Sequence, residues 1–169
     1  MLRLIRPEDA AVLADLRARS AEHLAPWEPA GFDGLATVEE QRSSIEQRLV
    51  AHEAGRGLPF VILDRDEVVG QLTISDIVRG PFQSAHLGYW LSVDATGRGL
   101  ATGAVRAALH EAFEVQGLHR IQAGTLLHNR ASQAVLRRTG FTPFGVAPRY
   151  LQIAGEWQDH VLFQRLADD

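Results

Sequence analysis

The chain has 169 residues, a formal net charge of −4 and 46% hydrophobic residues, which gives one domain, 1–169, with apolar content enough for a full core. Positive and negative residues are interspersed, so no basic footprint for direct nucleic-acid binding is present. The absence of cysteine excludes disulfides, thiolate metal sites and a cysteine nucleophile, and no apolar run is long enough for a membrane helix.

The N-terminus lacks the apolar region of a signal peptide, so a soluble, cytoplasmic protein is expected. Residues 2–5 read as a short strand ended by Pro7, and residues 8–19 as a helix with Ala11, Leu13, Leu16 and Ala18 among its small and apolar positions. His23-Leu24-Ala25-Pro26-Trp27-Glu28-Pro29 holds two prolines and shows neither a helical nor a strand period. Large aromatics rarely sit on loops without a packing partner, so Trp27 is either a plug over the core or a wall of a substrate pocket. A second helix opens at Thr37 or Glu39 and runs to about Ala54, with Ile45 and Leu49 inward. Residues 60–63 and 68–74 form a hairpin through charged turn residues, and Pro81 and Gln83 lead into a third strand at 86–93.

Residues 87–113 organise the rest. Leu87, Tyr89, Leu91 and Val93 alternate at period two, while Leu100, Ala101, Ala104, Val105, Ala108, Leu109, Ala112 and Phe113 recur at helical spacing. Between them lies Thr96-Gly97-Arg98-Gly99-Leu100-Ala101. A glycine-rich turn from strand to helix presents backbone N–H groups where the aligned peptide dipoles favour negative charge. Arg98 adds a cation suited to phosphate oxygens. The stretch is therefore suited to an anion, a diphosphate in the first place. The alternative, given less weight, is that Gly97, Gly99 and Gly103 serve a tight turn and close helix packing alone. Two nucleotide motifs are excluded: the chain has no lysine and so no P-loop, and G-x-G-x-x-x-G is not the dinucleotide spacing.

Beyond Gly117, residues 119–125 alternate as a strand. Asn129 caps a helix through Arg138 that Gly140 ends in the left-handed position. Residues 141–146 and 149–153 are strands, Ala154-Gly155-Glu156 is a turn, and residues 157–165 close the chain as a strand.

The segment Ala95-Thr96-Gly97-Arg98-Gly99-Leu100-Ala101-Thr102 resembles the [QR]-x-x-G-x-[GA] acetyl-CoA signature of the GNAT acetyltransferases, with Thr96 in place of the usual Gln or Arg. The element order β-α-α-β-β-β-α-β-α-β-β is similar to that family's order over essentially the whole chain. HLAPWEP, LGYWL, GLHRIQAGTLLHNRAS, VLRRTGF and GEWQDHVLF further resemble the RimJ/RimL branch, which acetylates N-terminal alanine of ribosomal proteins. The resemblance implies an α/β (α+β) GNAT fold. Its sheet is mixed but mostly antiparallel, with about seven strands and four flanking helices, splayed between strands 86–93 and 119–125.

The resemblance also implies roles. Leu91, Ser92 and Val93 would bond the acetyl carbonyl and pantetheine amides of acetyl-CoA, while Arg98, Gly99, Leu100, Ala101 and Thr102 would hold its diphosphate. Asn129 would bond the pantetheine, unless it only caps its helix, and Ser132 would stand near the sulfur as proton donor. A tyrosine acid is absent, because Ala134-Val135-Leu136 occupies that stretch. Arg137 and Arg138 would meet ribose phosphate or form a solvated face. Trp27, Tyr89 and Tyr150 would shape the acceptor pocket.

Acetyl transfer to an amine needs a neutral amine, a donor for the carbonyl oxygen and a proton for the leaving thiolate. Direct attack is simpler than a covalent acyl-enzyme, with a serine intermediate left open. Base candidates are Glu28, His86, Asp159 and His160, with His86 more commonly a satisfied strand histidine and the last two more often strand-fixing residues. An N-terminal amine has a pKa of about 7.7–8.0, so ordered water leading to Glu28 or His86 would suffice. The expected activity is acetyl transfer from acetyl-CoA to a protein N-terminus starting with alanine or serine. Small-amine or antibiotic acetylation, a larger acyl group such as succinyl, and a non-catalytic acyl-CoA sensor stand as alternatives. No metal is expected, and a homodimer is left open.

Overall fold

A computed structural model of the protein describes residues 1–29 and 37–168. Seven strands form one sheet: β1 (Leu2–Leu4), β2 (Leu58–Asp64), β3 (Glu67–Val78), β4 (Ser84–Leu91), β5 (Arg120–Leu126), β6 (Thr142–Ile153) and β7 (Glu156–Leu166). Their spatial order is β1-β2-β3-β4-β5-β7-β6, antiparallel throughout except where β4 meets β5. The helices are α1 (Ala10–Arg19), α2 (Ala21–Leu24), α3 (Val38–Glu53), α4 (Leu100–His110) and α5 (Arg130–Arg138). No helix among the described residues is long and apolar enough to cross a membrane.

Local chemistry explains the boundaries. Thr37, rather than Glu39, is the N-cap of α3: its hydroxyl accepts from Glu40 N–H at 3.3 Å, and its own N–H donates to the Glu40 carboxylate at 3.0 Å. Gly140, with φ +84°, lets Phe141 N–H reach back to the Leu136 carbonyl at 3.0 Å and closes α5.

Four expectations need correction. Residues 7–9 form a 3₁₀ turn, so α1 begins at Ala10 rather than residue 8. The segment before Trp27 is not irregular: α2 and a 3₁₀ turn at Ala25–Trp27 make five helices instead of four. The central strand stops at Leu91, because Ser92 bends the chain into a 3₁₀ turn at Val93–Ala95. The strands read at 141–146 and 149–153 are one strand, whose register against β7 shifts between Ala147 and Leu151, where Arg149 has φ +48°.

Each face of the sheet carries its own core. Ala85, Leu87, Tyr89 and Leu91 of β4 pack with Ala104, Val105, Ala108 and Leu109 of α4 and Leu136 of α5. On the opposite face, Trp90 joins Leu13 of α1, Ile45 of α3 and Val61 of β2. Strand alternation assigns odd β4 residues to the α4/α5 face and even ones to the α1/α3 face.

Candidate active site

β4 and β5 pair in parallel over only three residues, Ser84, Ala85 and His86 against Arg120, Ile121 and Gln122. Past His86 the two strands separate, as expected, while β3 and β7 continue alongside them. Ser92 N–H donates to the Val69 carbonyl at 2.9 Å. That register turns alternate β4 residues toward β3; the Leu87 N–H closes the last rung to Gln122, and the Leu87 C=O with the N–H and C=O of Tyr89 and Leu91 face the gap. A buried gap edged by unpaired peptide groups asks for a partner with amides of its own.

The start of α4 lies beyond this gap. Gly99 is its N-cap, at φ +77°, and carries no capping side chain. The first intrahelical bond runs from Gly103 N–H to the Gly99 carbonyl at 3.0 Å. The amides of Leu100, Ala101 and Thr102 therefore have no acceptor among the described residues. A Cβ placed on Gly97 or Gly99 would meet nothing within 4 Å, so a ligand can approach the main chain there. The observed features fit the diphosphate and amide-rich arm of an acyl-CoA.

Three of the residues expected to meet the cofactor already have protein partners. The Ser92 and Val93 N–H groups are already used, the first by Val69 and the second by the Ser20 hydroxyl at 3.1 Å, which leaves Leu91 as the donor of the three that faces the gap. The Arg98 guanidinium is held by the Asp64 carboxylate at 2.6 Å. Asn129 does cap α5, its Oδ1 accepting from Ser132 N–H at 3.1 Å. Its Nδ2 donates to nothing among the described residues.

Ser132, in the first turn of α5, meets β4 across the gap. Its Oγ lies 2.9 Å from the Tyr89 hydroxyl. Burial pushes the Tyr89 phenol up to about 12, an effect the Ser132 hydrogen bond partly offsets. Tyr89 is therefore a companion of Ser132 on the α4/α5 face, while its neighbour Trp90 points to the opposite face.

Glu28, His86 and Tyr150 lie on the α1/α3 face. Glu28 forms an ion pair with the buried Arg17, whose Cζ lies 4.9 Å from the centroid of Trp90. This engagement ties Glu28 to the frame. Trp27 packs against His128 with ring centroids 5.4 Å apart, and Tyr150 packs against His160 at 5.5 Å. Tyr150 Cε1 lies 3.6 Å from where a Cβ on Gly124 would stand, which sets the ring over β5. His86 is half-buried on β4, opposite Ser75 and Gln122, at the last rung before the strands part. Asp159 accepts from Arg149 N–H at 2.8 Å and pins the bulge of β6, while the buried His160 has Nδ1 3.0 Å from the Gln158 carbonyl. Both keep their strand-fixing roles. Arg137 stacks 5.6 Å from Phe163, and Arg138 offers its carbonyl to Arg106.

Sequence reasoning missed Arg17, Ser20 and Gly88. Arg17 follows Leu13 by one helical turn, so a charge on the apolar stripe was the available signal. Gly88 lies between His86 and Trp90, and a Cβ there would meet nothing within 4 Å, so the floor beneath the α1/α3 side is open.

Residues 1–142 match the family described as Acetyltransferase (GNAT) domain. The chain is 35% identical over 164 residues to the [Ribosomal protein uS5]-alanine N-acetyltransferase of Escherichia coli, spanning 96% of this chain and 84% of that one. Among solved structures it is similar to Mycobacterium smegmatis RimJ in complex with CoA-disulfide, with a TM-score of 0.95 and 39% identity, covering 99% of this chain and 81% of that one. A ribosomal-protein-S5-alanine acetyltransferase from Vibrio fischeri gives a TM-score of 0.93 at 35% identity, covering 99% and 93%.

Proposed function

The chain belongs to the GNAT acetyltransferase family and is an acetyl-CoA-dependent N-acetyltransferase, and from that premise we propose that its acceptor is the N-terminal alanine or serine of a ribosomal protein, modified in the cytoplasm. The observation that carries this reading is the two-sided site at the strand gap. Unpaired Leu91 peptide groups and the uncapped start of α4 serve one ligand, and the open floor at Gly88 admits an extended chain from the other side. The relatives named as acting on uS5 alanine support the acceptor.

When bound, acetyl-CoA supplies an acetyl group activated as a thioester. Leu100, Ala101 and Thr102 hold its diphosphate with their free N–H groups, and Asn129 Nδ2 and the Leu91 peptide hold its arm. The Leu91 N–H faces the gap as a donor for an oxygen that gains negative charge. The acceptor amine titrates near neutrality, at about 7.7–8.0, so a strong base is not required; its proton leaves through water toward His86. On the other face, Ser132 Oγ shares a 2.9 Å hydrogen bond with the Tyr89 hydroxyl, and its hydroxyl would supply a proton to the departing thiolate and regain one from water.

The test mixes acetyl-CoA with peptides beginning Ala or Ser, their N-blocked forms, polyamines and aminoglycosides, and follows free thiol. Release with the peptides but not their blocked forms is the expected result. Release with small amines alone, turnover with succinyl-CoA alone, or tight binding without turnover would each replace the acceptor, acyl group or activity proposed.

A further inference from the structure

Arg48 of α3 stands out as a half-buried cation that has no hydrogen-bonded or ion-paired carboxylate among the described residues. The comparison with Arg17 is direct. Arg17 is balanced by Glu28, whereas burial, and then the charge of Arg17, lower the Arg48 pKa. Holding a guanidinium partly out of water with no carboxylate paired to it among the described residues is costly unless an anion arrives.

The surroundings say where that anion comes from. Arg48 lines a cleft of about 430 Å³ with Arg56, Thr73 and Ser75. Thr73 pairs with Gly88 and Ser75 with His86, so the cleft adjoins the open floor on the acceptor side. Asp76 also lines it, but is exposed, accepts from Ser75 Oγ at 3.0 Å and makes no ion pair with Arg48. An extended peptide entering with its amine at the Leu91 end covers about 10 Å in three residues, which brings its third or fourth side chain above Gly88 and toward Arg48.

We infer that Arg48 is a specificity-determining residue that binds a side-chain carboxylate of the acceptor, so that the enzyme selects N-termini carrying Asp or Glu at about the third or fourth position. The inference rests on the peptide-acceptor reading above and names the sequence that reading leaves unspecified. The planar guanidinium suits a carboxylate by two parallel hydrogen bonds, and Thr73 adds a hydroxyl to the same cleft.

The test uses Ala-initiated peptides that differ only by Glu or Gln at position three or four, with the full chain and its Arg48→Met and Arg48→Lys forms. The wild-type protein should favour Glu in kcat/KM by about ten- to a hundredfold. In Arg48→Met that ratio should fall to about one, with Arg48→Lys between the two. No wild-type preference, or a preference that survives Arg48→Met, overturns the inference, and the peptide comparison needs no variant to fold. Calorimetric titration of the same peptides, already N-acetylated, reads the site without turnover. If no peptide is acetylated but the Glu form still binds more tightly through Arg48, the acceptor reading fails and the carboxylate site stands. Equal binding of both forms sinks the site.

Discussion

The Tyr89 hydroxyl and Ser132 Oγ stand 2.9 Å apart, one on the central strand and one on the first turn of α5, and so join the two sides of the opening in the sheet. Burial holds Tyr89 protonated to about 12. The folded state therefore retains a proton that the unfolded chain gives up near the ordinary tyrosine value of about 10. The stabilisation is complete below pH 10 and is lost as pH climbs toward 12, by about 2 to 3 kcal/mol. Tyr89→Phe should flatten this part of the stability curve, as read by urea unfolding at stepped pH. The chain has two tyrosines, so the ultraviolet phenolate titration should show one late-ionising group that the variant lacks. The same variant should lower kcat with little change in acetyl-CoA affinity; an unchanged kcat would separate Ser132 from its partner.

Gly99 has φ +77°, a conformation that costs a β-branched residue about 1–2 kcal/mol. Its missing Cβ faces open space, so the penalty in Gly99→Val is backbone strain rather than a clash. The variant should fold with a slightly lower melting point and bind coenzyme A at least about tenfold more weakly by calorimetry, because the amides of α4 lose their alignment. Undiminished affinity would move the diphosphate elsewhere.

Gly70 and Gly88 make a matched pair. A Cβ on Gly70 would stand 3.0 Å from Leu91 Cα and collide with the Trp90 carbonyl, whereas a Cβ on Gly88 would meet nothing. Gly70→Ala should cost about 1–3 kcal/mol by forcing β3 from the end of β4. Gly88→Ala should leave stability unchanged, or raise it by up to about 1 kcal/mol, and raise the peptide KM without affecting coenzyme A binding. Equal melting points for the two variants would contradict the strand register.

Glu28→Gln distinguishes frame from base. The amide can still accept from Arg17, so turnover should stay within about threefold, while removal of the buried counter-charge costs about 1–3 kcal/mol. A loss of a hundredfold or more, the scale of general base catalysis, would return Glu28 to the chemistry.

Local signals carried the strand, glycine turn and helix of 87–113, the cap at Asn129 and the β2–β3 hairpin, since each is decided by residues close in the chain. The site's internal partnerships were not legible in that way. Val93 N–H is taken by a hydroxyl 73 residues earlier, and Arg98 by a carboxylate 34 residues earlier, so no window of sequence shows that these groups are engaged. Tyr89 was within reach, because its phase against His86 already set it apart from Trp27. The long β6 was obscured because Arg149 adopts a positive φ that interrupts the alternation without ending the strand.

The three rungs at Ser84–His86 have a thermodynamic corollary. Strands β1–β4 and β5–β7 are two antiparallel ribbons stitched at one end, and such units can open below the global unfolding threshold. A molecule lodged in the gap adds its own binding free energy to the seam. Amide hydrogens flanking the gap should then exchange as two separate populations in the free protein and merge into one as coenzyme A rises, so that the metabolite sets how cooperatively the enzyme melts.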